Sequence, residues 1–74
     1  MKYKVEKNLT IERRKLRDFL NQVSYTNATT PMHAEAVVGN NGGRSVSVHV
    51  EATGDDKSQV DAFEQWVESF AIPS

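Results

Sequence analysis

Two histidines and two glutamates are the residues of this sequence whose types and spacing could support metal binding. His33 and Glu35 are two residues apart, as are His49 and Glu51. In extended strands each pair would project from one face, since alternate side chains share a face. Imidazole and carboxylate groups bind zinc and other divalent cations. The pattern offers one candidate metal site, but polar residues on a solvated strand face are the commoner explanation, so we expect no bound metal.

Whether these four side chains meet depends on the register of a predicted β-hairpin. Apolar and polar residues alternate on both sides of the glycine-rich segment 39–43, which predicts two antiparallel strands joined by this loop. With that loop, Met32 lies opposite Val50 and His33 lies directly opposite His49. The apolar residues of the second arm share one face, and they are Val46, Val48, Val50 and Ala52.

Catalytic equipment is missing from the sequence. There is no cysteine, no cofactor-binding motif and no spacing typical of a zinc finger. The histidines and glutamates have no nucleophile or oxyanion donor beside them in the sequence, so a role in acid–base catalysis is not indicated. We therefore expect a protein that is not an enzyme and that has no cofactor.

The length of 74 residues predicts a single domain over residues 1–74. No segment is apolar for long enough to cross a bilayer, so we expect no membrane partner. The first six residues alternate polar and apolar side chains, which is unlike a secretory signal. We expect a cytoplasmic protein, of a cell or of an infected host cell.

The segment before the hairpin predicts a strand and then a helix. Residues 1–6 alternate apolar and polar side chains, which is typical of a strand with one buried face. Asn8 or Thr10 could cap the helix that follows. Residues 24–31 contain three Thr and one Asn and end in Pro31, which predicts a loop. The apolar residues of the predicted helix share one arc of a helical wheel, and they are Leu9, Leu16, Phe19, Leu20 and Val23.

The segment after the hairpin predicts a second helix. Asp55 and Asp56 suit the positive end of a helix, and Asp56 and Gln59 have the spacing of a capping box. Pro73 is expected to end the helix. Its apolar stripe consists of Val60, Phe63, Val67 and Phe70, with Ala62 and Trp66 beside it.

The order strand, helix, strand, strand, helix predicts an α+β fold. Its most economical packing is a small ferredoxin-like βαββα unit, in which a three-stranded antiparallel sheet of order 1-3-2 carries two helices on one face. The fourth strand of the ferredoxin-like pattern is absent, so the first strand is expected at an open edge where a partner strand could pair. Lys2 and Lys4 could instead be there to discourage such pairing.

Part of the second half resembles acylphosphatases. Residues 43–54, with the sequence GRSVSVHVEATG, and the helix around residues 63–66 are similar to the hairpin and helix of that family. In that family the chemistry depends on a phosphate cradle with glycine and arginine after the first strand, and on an asparagine of the second strand. Here the first strand leads into EKNLT, and residues 34–38 contain no asparagine. The resemblance implies the fold, and a distant acylphosphatase-like enzyme is the function we expect least.

Charge is distributed unevenly along the chain. Residues 1–30 carry seven basic and three acidic side chains, whereas residues 31–74 carry two basic and seven acidic ones. The two halves could attract each other, within one chain or between copies, or the basic half could bind an anionic partner.

These features predict a small non-enzymatic module for protein interaction or regulation, such as an inhibitor that recognises the surface of a larger protein. A homodimer is a further expectation for so small a core. The alternative is a nucleic-acid-binding protein that uses the basic face of the first helix. Against it, the predicted outer sheet face lacks the stacking aromatics of RNA-binding sheets. The residues we expect to contact a partner are Lys2, Tyr3, Lys4, Lys7, Arg13, Arg14 and Arg17.

Overall fold

The first strand is longer than the sequence predicts. In the computed structural model, which describes residues 1–39 and 42–73, strand β1 is Tyr3–Glu12. The alternation that begins at Tyr3 continues through Leu9 to Ile11, whose side chain is completely buried. The predicted strand over residues 1–6 with a helix starting at Asn8 or Thr10 was therefore wrong in its boundary. Leu9 fits the spacing of the following helix, but it lies on the sheet.

The first helix begins and ends later than predicted. A short 3-10 turn, Arg13–Lys15, leads into α1, which is Leu16–Thr29. The predicted loop over residues 24–31 was wrong for most of its length, because the helix continues through it. The Thr29 hydroxyl donates to the carbonyl of Tyr25 at 2.8 Å, and the backbone N–H of Thr30 donates to Thr26 at 2.9 Å. These local hydrogen bonds keep a Thr- and Asn-rich segment helical.

The remaining elements follow the predicted order. Strand β2 is Met32–Val38, strand β3 is Ser45–Gly54 and helix α2 is Lys57–Phe70. Asp56 is the N-cap of α2, as predicted, and its carboxylate accepts from the backbone N–H groups of Ser58 and Gln59. No helix in the described ranges is long and apolar enough to cross a lipid bilayer.

The predicted topology is confirmed. All strand pairs are antiparallel and the order is β1-β3-β2. Helix α1 packs over β2, and helix α2 packs over β1 and β3. Side chains of both helices pack with the side chains of one sheet face to form a single core. No helix of the described residues packs on the other face, which we call the uncovered face. This core consists of Ile11, Phe19, Val23, Met32, Ala34, Val46, Val48, Val50, Ala52, Val60, Phe63 and Val67.

The register of the hairpin differs from the prediction by four residues. Met32 lies opposite Gly54 rather than Val50, and Val38 lies opposite Val48. A displacement by an even number of residues keeps the apolar residues on the core face. The prediction of which side chains face the core was therefore correct, while the predicted cross-strand partners were wrong. Strand β3 has ten residues and β2 has seven, so the strand partners of residues 45–47 lie in β1. Ser47 also accepts a hydrogen bond from the backbone N–H of Gly39 at 2.8 Å, just beyond the end of β2. Of the predicted loop, Asn40 and Asn41 lie outside the described residues.

Candidate functional site

A row of three carboxylates crosses the uncovered face of the sheet. Glu6 of β1 and Glu35 of β2 both lie opposite Glu51 of the central strand. The ammonium group of Lys4 lies 3.2 Å from a carboxylate oxygen of Glu6 and 3.2 Å from one of Glu51. Hydrogen bonds to Glu6 and then to Glu51 raise the pKa of Lys4. The lysine therefore compensates like charges that would otherwise repel each other across the sheet.

The register separates the residues of the predicted metal site. His33 lies opposite Thr53, and His49 lies opposite Val37, so the predicted pairing of the two histidines was wrong. His33 instead places its Nε2 atom 2.7 Å from an oxygen of Glu35. The displacement of four residues is the cause, because it moves His33 and His49 to different rows of the sheet.

A different histidine–carboxylate cluster forms between β1 and β3. The Nε2 atom of His49 lies 3.8 Å from Glu6 and 3.9 Å from Glu51, and its Nδ1 atom donates to the side-chain oxygen of Asn8 at 2.7 Å. His49, Glu6 and Glu51 are the three side chains whose ligand atoms lie close enough together to hold a cation. The ammonium of Lys4 already bridges the same two carboxylates, so the cluster is an ion-paired surface network. This cluster is not visible in the sequence alone, since its members meet only through the register of β1 and β3, which local residues do not determine.

Arg13 joins the start of the helical segment to the hairpin. Its backbone N–H donates to the carbonyl of Arg44 at 2.8 Å. Its guanidinium donates to the carbonyl of Gly43 at 2.9 Å and to that of Ser45 at 3.3 Å. This predicted partner-binding residue therefore holds the end of the hairpin in place. It also brings Arg44 from a distant part of the sequence to the basic segment.

The basic side chains around this junction form what we call the basic end. Arg14 has a carboxylate partner there, because its Nε atom lies 2.6 Å from Glu12. Within the described residues, Lys15, Arg17 and Arg44 are exposed and form no ion pair. The basic end consists of Arg13, Arg14 and Arg44 at the junction and of Lys15 and Arg17, which follow Arg14 along the chain.

An open cleft of about 790 Å³ lies at the basic end. Its walls combine the arginines with Ile72, whose side chain is 39% exposed. The cleft can therefore offer cations and an apolar contact to the same ligand. It is lined by Glu12, Arg13, Arg14, Gly43, Arg44, Ser45 and Ile72.

Lys7, one of the residues predicted to contact a partner, lies apart from the basic end. Its ammonium lies 3.1 Å from Glu64 and 3.0 Å from Glu68 of α2. Hydrogen bonds to Glu68 and then to Glu64 raise its pKa. Of the other predicted contact residues, Lys2 is exposed, and Tyr3 packs partly against the core.

Strand β1 is an open edge over its first half. The N–H of Ile72 donates to the carbonyl of Thr10 at 2.9 Å, so the backbone groups of Thr10 point away from β3. In a strand, the backbone N–H and C=O groups of residues two apart point to the same side. The backbone groups of Lys4, Glu6 and Asn8 therefore face outward as well. The segment after α2 covers only the Thr10 end of this edge.

The outward-facing backbone groups at the start of strand β2 are already hydrogen-bonded, unlike those of the first half of β1. The side-chain amide of Asn27 donates to the carbonyl of Ala34 at 2.8 Å and accepts from its N–H at 2.7 Å. The N–H of Met32 is bound by the carbonyl of Thr30 at 2.7 Å. The two edges of the sheet are therefore unequal in their ability to accept another strand.

Comparisons of this chain with protein-family models, with curated proteins and with solved structures found no match.

Proposed function

We propose that this chain is a small non-enzymatic protein-binding module that holds an acidic surface of a larger partner at its basic end. The observation that carries the proposal is the exposure of Lys15, Arg17 and Arg44 without carboxylate partners among the described residues. By contrast, Lys4, Lys7 and Lys57 are all ion-paired. Unpaired cations on one surface attract and orient an anionic partner.

A regulatory action follows from the size of the chain. A module of 74 residues can cover part of a larger protein and so block access to the covered surface. The cleft favours a protein over a nucleic acid as the partner, because Ile72 provides an apolar contact beside the arginines. Protein interfaces combine an apolar centre with a charged rim.

Nucleic-acid binding is the second candidate function, and the same cations support it. Lys15, Arg17 and Arg44 could contact phosphates. Two features oppose it. The uncovered sheet face carries the row Glu6, Glu51 and Glu35, which would repel a polyanion, and the described part of that face contains no Phe, Tyr or Trp side chain for base stacking.

The test compares the binding of two anionic probes at about 0.15 M salt, at which long-range attraction between exposed charges is largely screened. One probe is a glutamate-rich peptide with a central leucine, and the other is a DNA duplex. We expect the peptide to bind, and the double variant Arg17→Glu, Arg44→Glu to reduce its affinity at least about tenfold. Lys57→Glu is the control, since it reverses a charge at the opposite end of the fold.

The apolar contact separates the two candidates. Ile72→Ser should weaken binding of the leucine-containing peptide and leave an all-glutamate peptide unchanged. If the duplex binds more tightly than either peptide and Ile72→Ser has no effect, nucleic-acid binding replaces the proposal. If neither probe binds, the basic end does not hold acidic ligands and the proposal is wrong.

A further inference from the structure

We infer that two copies of this chain pair through their β1 strands, antiparallel, about a two-fold axis at Val5. The inference concerns the open edge of β1 and is separate from the function proposed for the basic end. Three features lead to it: the position of the free edge, the charges along it and the direction of its backbone groups.

The free part of the edge is centred on Val5. The outward groups of Lys4, Glu6 and Asn8 are unoccupied by the described chain, whereas the carbonyl of Thr10 is bound by Ile72. A two-fold axis at Val5 places Lys4 opposite Glu6 of the second copy, and Lys2 opposite Asn8 of the second copy. This register uses the whole free stretch and leaves the contact at Thr10 undisturbed.

The direction of the backbone groups limits the number of registers. Lys4 and Glu6 both point their N–H and C=O groups outward, so they can exchange two hydrogen bonds as a pair. Val5 then faces Val5 of the second copy in a non-hydrogen-bonded pair, the closer of the two kinds. A register displaced by an odd number of residues would place a residue with outward-facing backbone groups opposite one whose groups face β3. A ladder of hydrogen bonds between the two copies could not form in such a register.

Charge selects one register among those that remain. An axis at Glu6 would place that carboxylate opposite its own copy, and an axis at Lys4 would do the same with two ammonium groups. Like charges directly opposite each other destabilise a strand pair. With the axis at Val5, each Lys4 meets a Glu6, so two opposite-charge pairs form symmetrically. An axis at Lys7 or Asn8 would require the backbone of Thr10, which Ile72 already occupies.

The energetic test uses charge reversal and its rescue. Sedimentation of the wild-type chain over a concentration series should show a monomer–dimer equilibrium. Lys4→Glu should raise the dissociation constant about tenfold, because two attractive pairs become repulsive. The double variant Lys4→Glu, Glu6→Lys should restore dimerisation. Asp18→Lys reverses an exposed charge on α1, which packs over β2 and away from the β1 edge, so this control should dimerise like the wild type.

The backbone test uses proline on the edge. Lys4→Pro removes an outward N–H without removing a hydrogen bond to β3, so it should weaken the dimer more than Lys4→Ala does. Circular dichroism of each variant verifies that the fold is kept.

The positional test uses cysteine, which the chain lacks. In a non-hydrogen-bonded antiparallel pair the Cα atoms are about 4.5 Å apart, which is within the range for a disulfide. With oxidised glutathione, Val5→Cys should therefore form a covalent dimer faster than the more exposed control Val37→Cys. A monomer at all concentrations, a dimer indifferent to Lys4→Glu and Lys4→Pro, or equal crosslinking of the two cysteine variants would overturn the inference.

Discussion

Phe19 and Trp66 stack face to face, with ring centroids 5.2 Å apart and planes inclined by 12°. The contact joins the two helices, because Phe19 lies on α1 and Trp66 on α2. Phe70 packs edge-on against both rings, at 5.3 Å from Phe19 and 5.1 Å from Trp66. The helices are thus attached to each other as well as to the sheet.

Phe19→Ala should destabilise the chain by about 3 to 5 kcal/mol, since a large buried ring leaves a cavity. A domain of this size has about that much stability in total, so we expect the variant to be largely unfolded at room temperature. Urea denaturation followed by circular dichroism measures the change. Phe19→Leu, which keeps most of the volume, should lose less. An Ala variant as stable as the wild type would show that the stack contributes little.

Asn27→Ala should expose the edge of β2 and lower the free energy of unfolding by about 1 to 2 kcal/mol, because two hydrogen bonds to Ala34 are lost. The amide proton of Ala34 should exchange with solvent much faster in the variant. Asn21→Ala is the matched control, since Asn21 is an exposed residue of the same helix. Unchanged exchange at Ala34 would contradict the assigned role of Asn27.

Arg13→Lys should loosen the end of the hairpin even though the charge is kept. A lysine cannot reproduce the planar fork that reaches the carbonyls of Gly43 and Ser45. We expect a loss of about 1 kcal/mol and faster amide exchange at the start of β3. Arg14→Lys should change stability by less than about 0.5 kcal/mol, since its partner Glu12 is on an exposed surface. Equal effects of the two substitutions would argue against a structural role for Arg13.

The N-cap of α2 gives the chain a specific dependence on acid pH. Hydrogen bonds from the Ser58 side chain and then from the Gln59 backbone lower the pKa of Asp56 below its ordinary value of 3.8. A carboxylate with a lowered folded-state pKa stabilises the fold fully above its unfolded pKa, and this contribution is lost as the pH falls through the folded value. We therefore expect the unfolding temperature of the wild type to decrease as the pH is lowered below about 4.

Asp56→Asn tests this assignment. Asparagine also caps helices but does not titrate in this range, so the variant should remain folded with a weaker dependence on pH below about pH 4. Thermal unfolding of both proteins over a pH series measures the difference. Parallel curves for the two proteins would show that another carboxylate causes the acid sensitivity.

The parts of the fold that were predictable from the sequence are those determined by neighbouring residues. The alternation through Val46, Val48 and Val50 defines one face of β3 without reference to any other strand. Asp56 is recognisable as a cap because a carboxylate there can reach the first free N–H groups of the helix. The order of elements then restricts the topology to few alternatives.

The errors occurred where two distant segments determine the outcome. Leu9 fits the helical stripe and also the strand alternation, and only its place against Val48 decides between them. The hairpin register was wrong because a displacement of four residues preserves every buried face. The cluster of Glu6, His49 and Glu51 could not be predicted for the same reason, since its members meet through the β1–β3 register.

The contact between Asn27 and Ala34 also limits how large an assembly of this chain can grow. If copies associate through β1, each copy uses the longer of its two open stretches, and the combined sheet ends on both sides in a β2 strand. The first half of that strand is closed by a side-chain amide that imitates a neighbouring strand. Strand addition to β2 is therefore opposed from Met32 to Ala34, where the outward backbone groups are already bound, and is left to Ala36 and Val38 among the described residues. Asn27 thus favours a finite oligomer over open-ended growth, because it leaves fewer backbone groups free at β2 than are free at β1.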